Sequence, residues 1–297
     1  MGVAETDLCG FMIMARRPFH GEPISKIAVW SSRLAMFAFV VAALSIIIVR
    51  SGLLEIVPAL ATFAAALIFA GLAILFAFAG FVVIWRQGLS GLGRALLGLF
   101  LGLALLAYPA YLGIRALKLP QITDVTTDPL NPPRFDVLAR LRPRGRNDYP
   151  GPAVAALQRA AYPEVAPLDL DVPTKVAYDA ALALVTKRKW YIGDARAPSL
   201  ARRDGAIEAV ARTPIMGFRD DVVIRVTPMG QGTRIDMRSA SRVGAHDFGA
   251  NASRIRSLLE DIDDVVGSAP EPRSVQEKKP PPPAKKGQPE KRQPTNR

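Results

Sequence analysis

Residues 56–85 read IVPALATFAAALIFAGLAILFAFAGFVVIW, thirty consecutive positions without a charge. A helix needs about 20 apolar residues to cross the hydrocarbon of a bilayer. This stretch therefore predicts a membrane span, and it organises the rest of the chain. Before it, 34–49 (LAMFAFVVAALSIIIV) is uncharged between Arg33 and Arg50; after it, 95–114 is uncharged between Arg94 and Arg115. The first is short, but Ser31 and Ser32 or residues 51–54 can extend it. It also lacks a small-x-small cleavage site, so it reads as a retained span and not a signal peptide. A chain of 297 residues is too small to hide three such helices in a soluble core. Spans are expected at about 31–52, 57–85 and 94–115, within a membrane region 31–117 that follows a cytoplasmic segment 1–30.

Orientation follows from the basic residues in the short flanks. With the N-terminus cytoplasmic, Arg16, Arg17, Lys26, Arg33, Arg86 and Arg94 lie inside, and Arg50, Arg115 and Lys118 outside. This favours a multi-pass inner-membrane protein whose C-terminal domain is periplasmic. Trp30 and Trp85 mark one interface, Tyr108 and Tyr111 the other. No Asp, Glu, Lys, Arg or His falls inside the uncharged spans, which argues against a coupled transporter. Gly98 and Gly102 form a GxxxG that suits close helix packing, within the chain in preference to another copy.

The overall composition agrees. Half of the residues are apolar and 22% charged, with a net charge of +12; the mean hydropathy is +0.19. The single cysteine, Cys9, excludes an internal disulfide framework. Much of the positive charge lies in the last thirty residues, while 118–267 is nearly balanced, so a nucleic-acid partner is not expected.

Beyond the spans, 118–150 is rich in Pro, Asp and Arg and reads as an extended juxtamembrane arm. An α+β domain is expected over 151–267. Helices fit 153–161 and 173–189, the second capped by Asp171 with a stripe of Val176, Ala180, Ala183 and Leu184. Strands fit 189–195, 206–212, 221–227 and 233–240, the last two joined by the turn PMGQG at 228–232. Along the last strand Ile235 and Met237 point one way, and Arg234, Asp236 and Arg238 the other. A final helix spans about 247–266. That order gives an antiparallel sheet with helices on one face. Residues 268–297, with eight prolines and no Leu, Ile or aromatic, read as a disordered basic tail.

Residues 238–256, RSASRVGAHDFGANASRIR, together with 213–226, TPIMGFRDDVVIRV, resemble the bacterial and plastid family known as domain of unknown function 1499. Its pattern is matched by Arg238, Ser239, Ser241, Arg242, Gly244, Asp247, Gly249, Asn251, Arg254 and Ile255. The likeness covers roughly 120–266. It implies a domain that is often exported or membrane-attached, and it carries over no established biochemical activity. The strand order is also loosely similar to the helix-grip domains of envelope lipoproteins, at the level of fold alone.

The motif allows three chemistries. Ser239 or Ser241 with His246 and Asp247 holds the residue types of a hydrolase, but crowded into nine positions without a nucleophile elbow. Asp220, Asp221, His246 and Asp247 offer hard ligands, but no HxxxH or CxxC pair, so neither metal nor cofactor is expected. Arg238, Arg242 and Arg254 beside a helix start suit an anion. The competing account is internal: Asp247 or Asn251 caps the helix, and the arginines pair with Asp220, Asp221 or Asp236. The abundance of nearby acid favours that account. In both, one polar cluster joins the last strand to the last helix. The leading function is a non-catalytic binding or scaffolding module of the cell envelope, with an envelope protein, a lipid headgroup or another anion as partner. The alternative is an envelope enzyme working through 238–251.

Overall fold

The computed structural model describes residues 23–52, 56–142 and 148–268. The expectations for 1–22, for 143–147 of the arm and for the tail from 269 onward lie outside these residues. Three long helices come first: α1 (Lys26–Ser51), α2 (Ile56–Gln87) and α3 (Leu92–Lys118). All three are long and apolar enough to cross a membrane, which makes this a multi-pass membrane protein. They run past the uncharged cores to take in Lys26, Arg86, Arg94, Arg115 and Lys118, whose long stems let the charge reach the interface. Ser25 starts α1 by accepting the Ala28 N–H, and Gly52 ends it in the left-handed region. Pro58 sits in the first turn of α2, and Pro109 lies inside α3.

The helices meet through small residues. Ala28, Ser31, Ala35, Ala38, Ala42, Ser45 and Val49 of α1 are buried, as are Ala59, Ala66, Ala70, Ala73, Ala77 and Gly80 of α2. Steps of three and four keep one seam facing its partners, and small side chains let the backbones approach. Ser31 donates its hydroxyl to the Ala73 carbonyl at 2.8 Å. Gly98 faces Ser31 of α1, and Gly102 faces Ala70 and Ile74 of α2; a Cβ on either would collide. The GxxxG thus serves both other helices. Phe37, Phe39, Ile68, Leu75, Phe78 and Phe100 point outward.

The sheet contains β1 (Asp124–Thr126), β2 (Leu168–Leu170), β3 (Tyr191–Arg196), β4 (Gly205–Arg212), β5 (Arg219–Met229) and β6 (Gly232–Ser241). Its order is β1-β6-β5-β4-β3, with every pair antiparallel, and β2 joins the same edge of β6 further along. Helices α5 (Thr174–Lys187) and α6 (Ala250–Gly267) cover one face. Ala177, Ala181, Val185, Ile255, Leu258 and Ile262 pack there against Val222, Ile224, Val226, Ile235 and Met237. The short helix α4 (Pro152–Ala161) lies at the β1 edge. Its Gln158 amide donates to the Thr126 carbonyl and accepts the Thr126 N–H, acting as one more strand partner.

Four expectations need correction. The arm is not a free extended segment. Residues 124–126 form a strand, and Phe135 and Leu138 pack on Val210, Val223 and Ala240 on the sheet face opposite the helices. The covering of that face is irregular chain with a short 3-10 turn (Leu138–Leu141), which hydrophobic periodicity does not reveal. In α5 the buried stripe is Ala177, Tyr178, Ala181, Leu184 and Val185, while Val176 is exposed. The helix starts after Pro173, without a side-chain cap from Asp171, and its inward face is offset by one position from the expected stripe. Finally, β3 starts at Tyr191, since Lys189 adopts φ 56° as the chain leaves α5.

Candidate functional site

Period-two alternation along β5 and β6 decides the geometry of the motif. Paired residues share a face: Asp220 faces Ser241, Asp221 faces Ala240, Val222 faces Ser239 and Val223 faces Arg238. The motif therefore splits into two clusters, one on each side of the sheet. The single cluster expected from sequence is corrected on this point, since adjacent strand residues cannot point the same way.

The arm face holds the arginines of β6. Arg238, 1% exposed, grips Asp124 of β1 with two parallel bonds, Nε to Oδ1 at 2.9 Å and Nη2 to Oδ2 at 2.7 Å. Its Nη1 donates to the Pro133 carbonyl. Its guanidinium lies 4.8 Å from the Phe135 ring centre and 5.9 Å from that of Tyr149. Asp221 of β5 takes Arg242 in a fork, Nε at 2.9 Å and Nη2 at 2.7 Å. It also accepts Nη1 of Arg142 at 2.8 Å. Two guanidinium groups thus share one fully buried carboxylate. Planar forks satisfy both carboxylate oxygens at once, which makes such burial tolerable.

The helix face holds the other half. Arg254 of α6 donates to Asp220 at 2.6 Å, to the Ser239 hydroxyl at 2.8 Å and to Asn251 Oδ1 at 2.7 Å. Ser239 donates to Asn251 Oδ1 at 2.8 Å. The Asn251 amide nitrogen donates to the Ser241 hydroxyl and to the Thr123 carbonyl, both at 3.1 Å. Asp247 holds the start of α6, accepting N–H bonds from Gly249 at 2.8 Å and Asn251 at 3.1 Å. Asn251 is no cap; it bridges helix to sheet. Gly249 sits at φ 77° between them, a conformation that L side chains rarely adopt.

The triad residue types do not assemble. Ser239 and Ser241 are engaged with Asn251. His246 accepts the Phe248 N–H on Nδ1 and stacks on the Phe248 ring, with centroids 4.7 Å apart. Among the described residues no group of three His, Cys, Asp or Glu is placed to hold a metal ion. Asp236 pairs with Arg225 at 2.9 Å instead of with a motif arginine.

Residues 124–262 match the family described as "Protein of unknown function (DUF1499)". The match falls on the sheet domain and the strand that leads into it, where the motif lies. No curated protein matches the chain. Among solved structures, a crystal structure of CalU16 from Micromonospora echinospora is similar at 13% identity, over 34% of this chain and 83% of that one, with a TM-score of 0.15.

The domain also uses residues that sequence reading missed. Asp124 and Arg142 lie in the arm, where nothing in the local pattern announces a buried partner. Glu208 of β4 is fully buried and accepts the N–H groups of Asp136, Val137 and Leu138 at 2.8, 3.2 and 2.8 Å. One carboxylate thereby fixes the turn that roofs the arm face. Its lone charge within the apolar strand AIEAVA was the available signal. Burial pushes the Asp124 and Asp247 carboxyls upward; the Arg238 guanidinium opposes this at Asp124, and the Gly249 and Asn251 N–H groups oppose it at Asp247.

Proposed function

We propose that the chain is an inner-membrane protein whose sheet domain stands in the periplasm as a non-catalytic binding or scaffolding module of the cell envelope. The observation that carries this reading is the mutual saturation of the motif. Arg238, Arg242 and Arg254 each hold a carboxylate at 2.6–2.7 Å, and Ser239, Ser241 and Asn251 bond to one another. Groups spent in this way tie β1, β5, β6 and α6 together and are not poised for a substrate. The periplasmic side rests on the basic residues of the flanks, six against three.

The domain is also braced on the membrane region. Arg50, at the end of α1, donates to the Pro214 and Ile215 carbonyls at 2.7 and 3.0 Å. Arg212 donates back to the Arg50 carbonyl at 3.2 Å. A domain held this way presents one fixed surface near the bilayer, as a scaffold requires. The test is to fuse alkaline phosphatase and, separately, green fluorescent protein after Gly267. Active phosphatase with dark fluorescent protein is expected. The reverse pattern places the domain in the cytoplasm and overturns the envelope reading.

A further inference from the structure

A crevice of about 420 Å³ lies where α3 meets the domain. One wall is the last turns of α3, with Tyr108, Tyr111, Leu112 and Arg115; the others are the loop from Thr213 to Phe218 and the start of α6. Its charge is one-sided. Arg115, Arg188, Arg212 and Arg254 line it against a single carboxylate, Asp247. Arg188 and Arg254 have acidic partners, Asp261 and Asp220. Arg115 and Arg212 have none among the described residues; they donate to the Tyr111 hydroxyl and to the Arg50 carbonyl. Asp247 is occupied with the N–H groups of α6. The helix start is therefore already capped, and the attraction for an anion comes from the guanidinium groups.

A second observation marks the same spot. Tyr162 is 6% exposed, yet its hydroxyl has no hydrogen-bond partner among the described residues. A Cβ added to Gly249 would stand 2.7 Å from Arg115 Nη2 and 3.2 Å from that hydroxyl. A guanidinium and a free phenolic donor thus converge on one glycine at the rim of the crevice. Buried polar groups are ordinarily hydrogen-bonded, so an unpaired one asks for an acceptor.

The position identifies the acceptor. Tyr108 and Tyr111 are partly exposed on a helix that crosses the membrane, at the level where aromatic rings mark the interface. Above them the crevice is cationic; below them the surface is apolar. That order matches a lipid, with acyl chains below and an anionic headgroup above. We propose that this crevice binds the phosphate of an anionic phospholipid from the leaflet beside the domain, through Arg115 and Arg212, with Tyr162 as a further donor. The inference holds whichever side of the membrane the domain occupies.

The full chain in nanodiscs of phosphatidylcholine, with or without phosphatidylglycerol, tests this by native mass spectrometry of the co-retained lipid. The wild-type chain is expected to retain phosphatidylglycerol preferentially. Arg115→Gln with Arg212→Gln should weaken that preference roughly thirtyfold, from about 1 kcal/mol per basic residue near an anionic surface. Arg202→Gln with Arg203→Gln removes the same charge far from the crevice and should leave the preference intact. If the double crevice variant fails to fold, Arg212→Gln alone, at an exposed position, decides. An unchanged preference in a folded crevice variant overturns the proposal. Equal loss in the remote variant, or equal competition by inorganic phosphate, also overturns it, by assigning the effect to general charge or to a soluble anion.

Discussion

Arg238 holds Asp124, 114 residues earlier in the chain, through two parallel hydrogen bonds of 2.9 and 2.7 Å. Both groups are almost completely buried. The pair fastens the first strand after the membrane to the last strand of the sheet. Asp124→Ala leaves a buried guanidinium without its carboxylate and should cost about 3–5 kcal/mol. Adding Arg238→Met should recover part of that loss, because the stranded charge is gone. Denaturant unfolding of the four chains of this cycle checks the prediction. Simple additivity would mean that the two residues do not act as a pair.

Glu208 makes a more local prediction. Its carboxylate collects three consecutive N–H groups, those of Asp136, Val137 and Leu138. Glu208→Gln turns one acceptor into a donor facing an N–H, so the turn over the arm face should loosen. Hydrogen exchange is expected to rise at residues 136–138 while the amides of α6 stay protected. Exchange unchanged at those three amides would remove Glu208 from its assigned role.

The tyrosines give a pH signature. Burial pushes Tyr149 and Tyr162 up to about 12; Asp124 adds to this at Tyr149 and Asp247 at Tyr162. The native state therefore keeps these protons after an unfolded chain has begun to lose them near pH 10. Their contribution to stability is complete below about pH 10 and falls as pH rises toward 12. Burial pushes Tyr178 upward as well, so absorbance near 295 nm should show three of the six tyrosines ionising late, and Tyr162→Phe should remove one of them. Early ionisation of all three would contradict the burial of their hydroxyls.

In the membrane region, Gly98 and Ser31 leave no room between α1 and α3. Gly98→Leu should separate the helices and lower the thermal midpoint of the chain in detergent. Leu97→Ala, at an outward position, should change it little. Equal effects would place the packing seam elsewhere.

Much of this protein was legible because it rests on local rules. Thirty uncharged residues in a row have no soluble solution for a chain of this size, so the spans were readable. The β5–β6 hairpin was readable from its alternation and from the Met229–Gly232 turn, which sets the register by neighbours in sequence. The acid-rich surroundings of Arg242 and Arg254 offered Asp220, Asp221 or Asp236 as internal partners without choosing among them. The choice of Asp124 for Arg238, the sharing of Asp221 by Arg142 and Arg242, and the division of one motif between two sheet faces were decided only in three dimensions. The reason is the arm. Residues 124–142 have no amphipathic period, so nothing in their order announces that they bury the second face. Once they do, Asp221, Arg238 and Glu208 pass from a solvated surface to an interior. There the cost of an unpaired charge, and not any sequence preference, selects their partners.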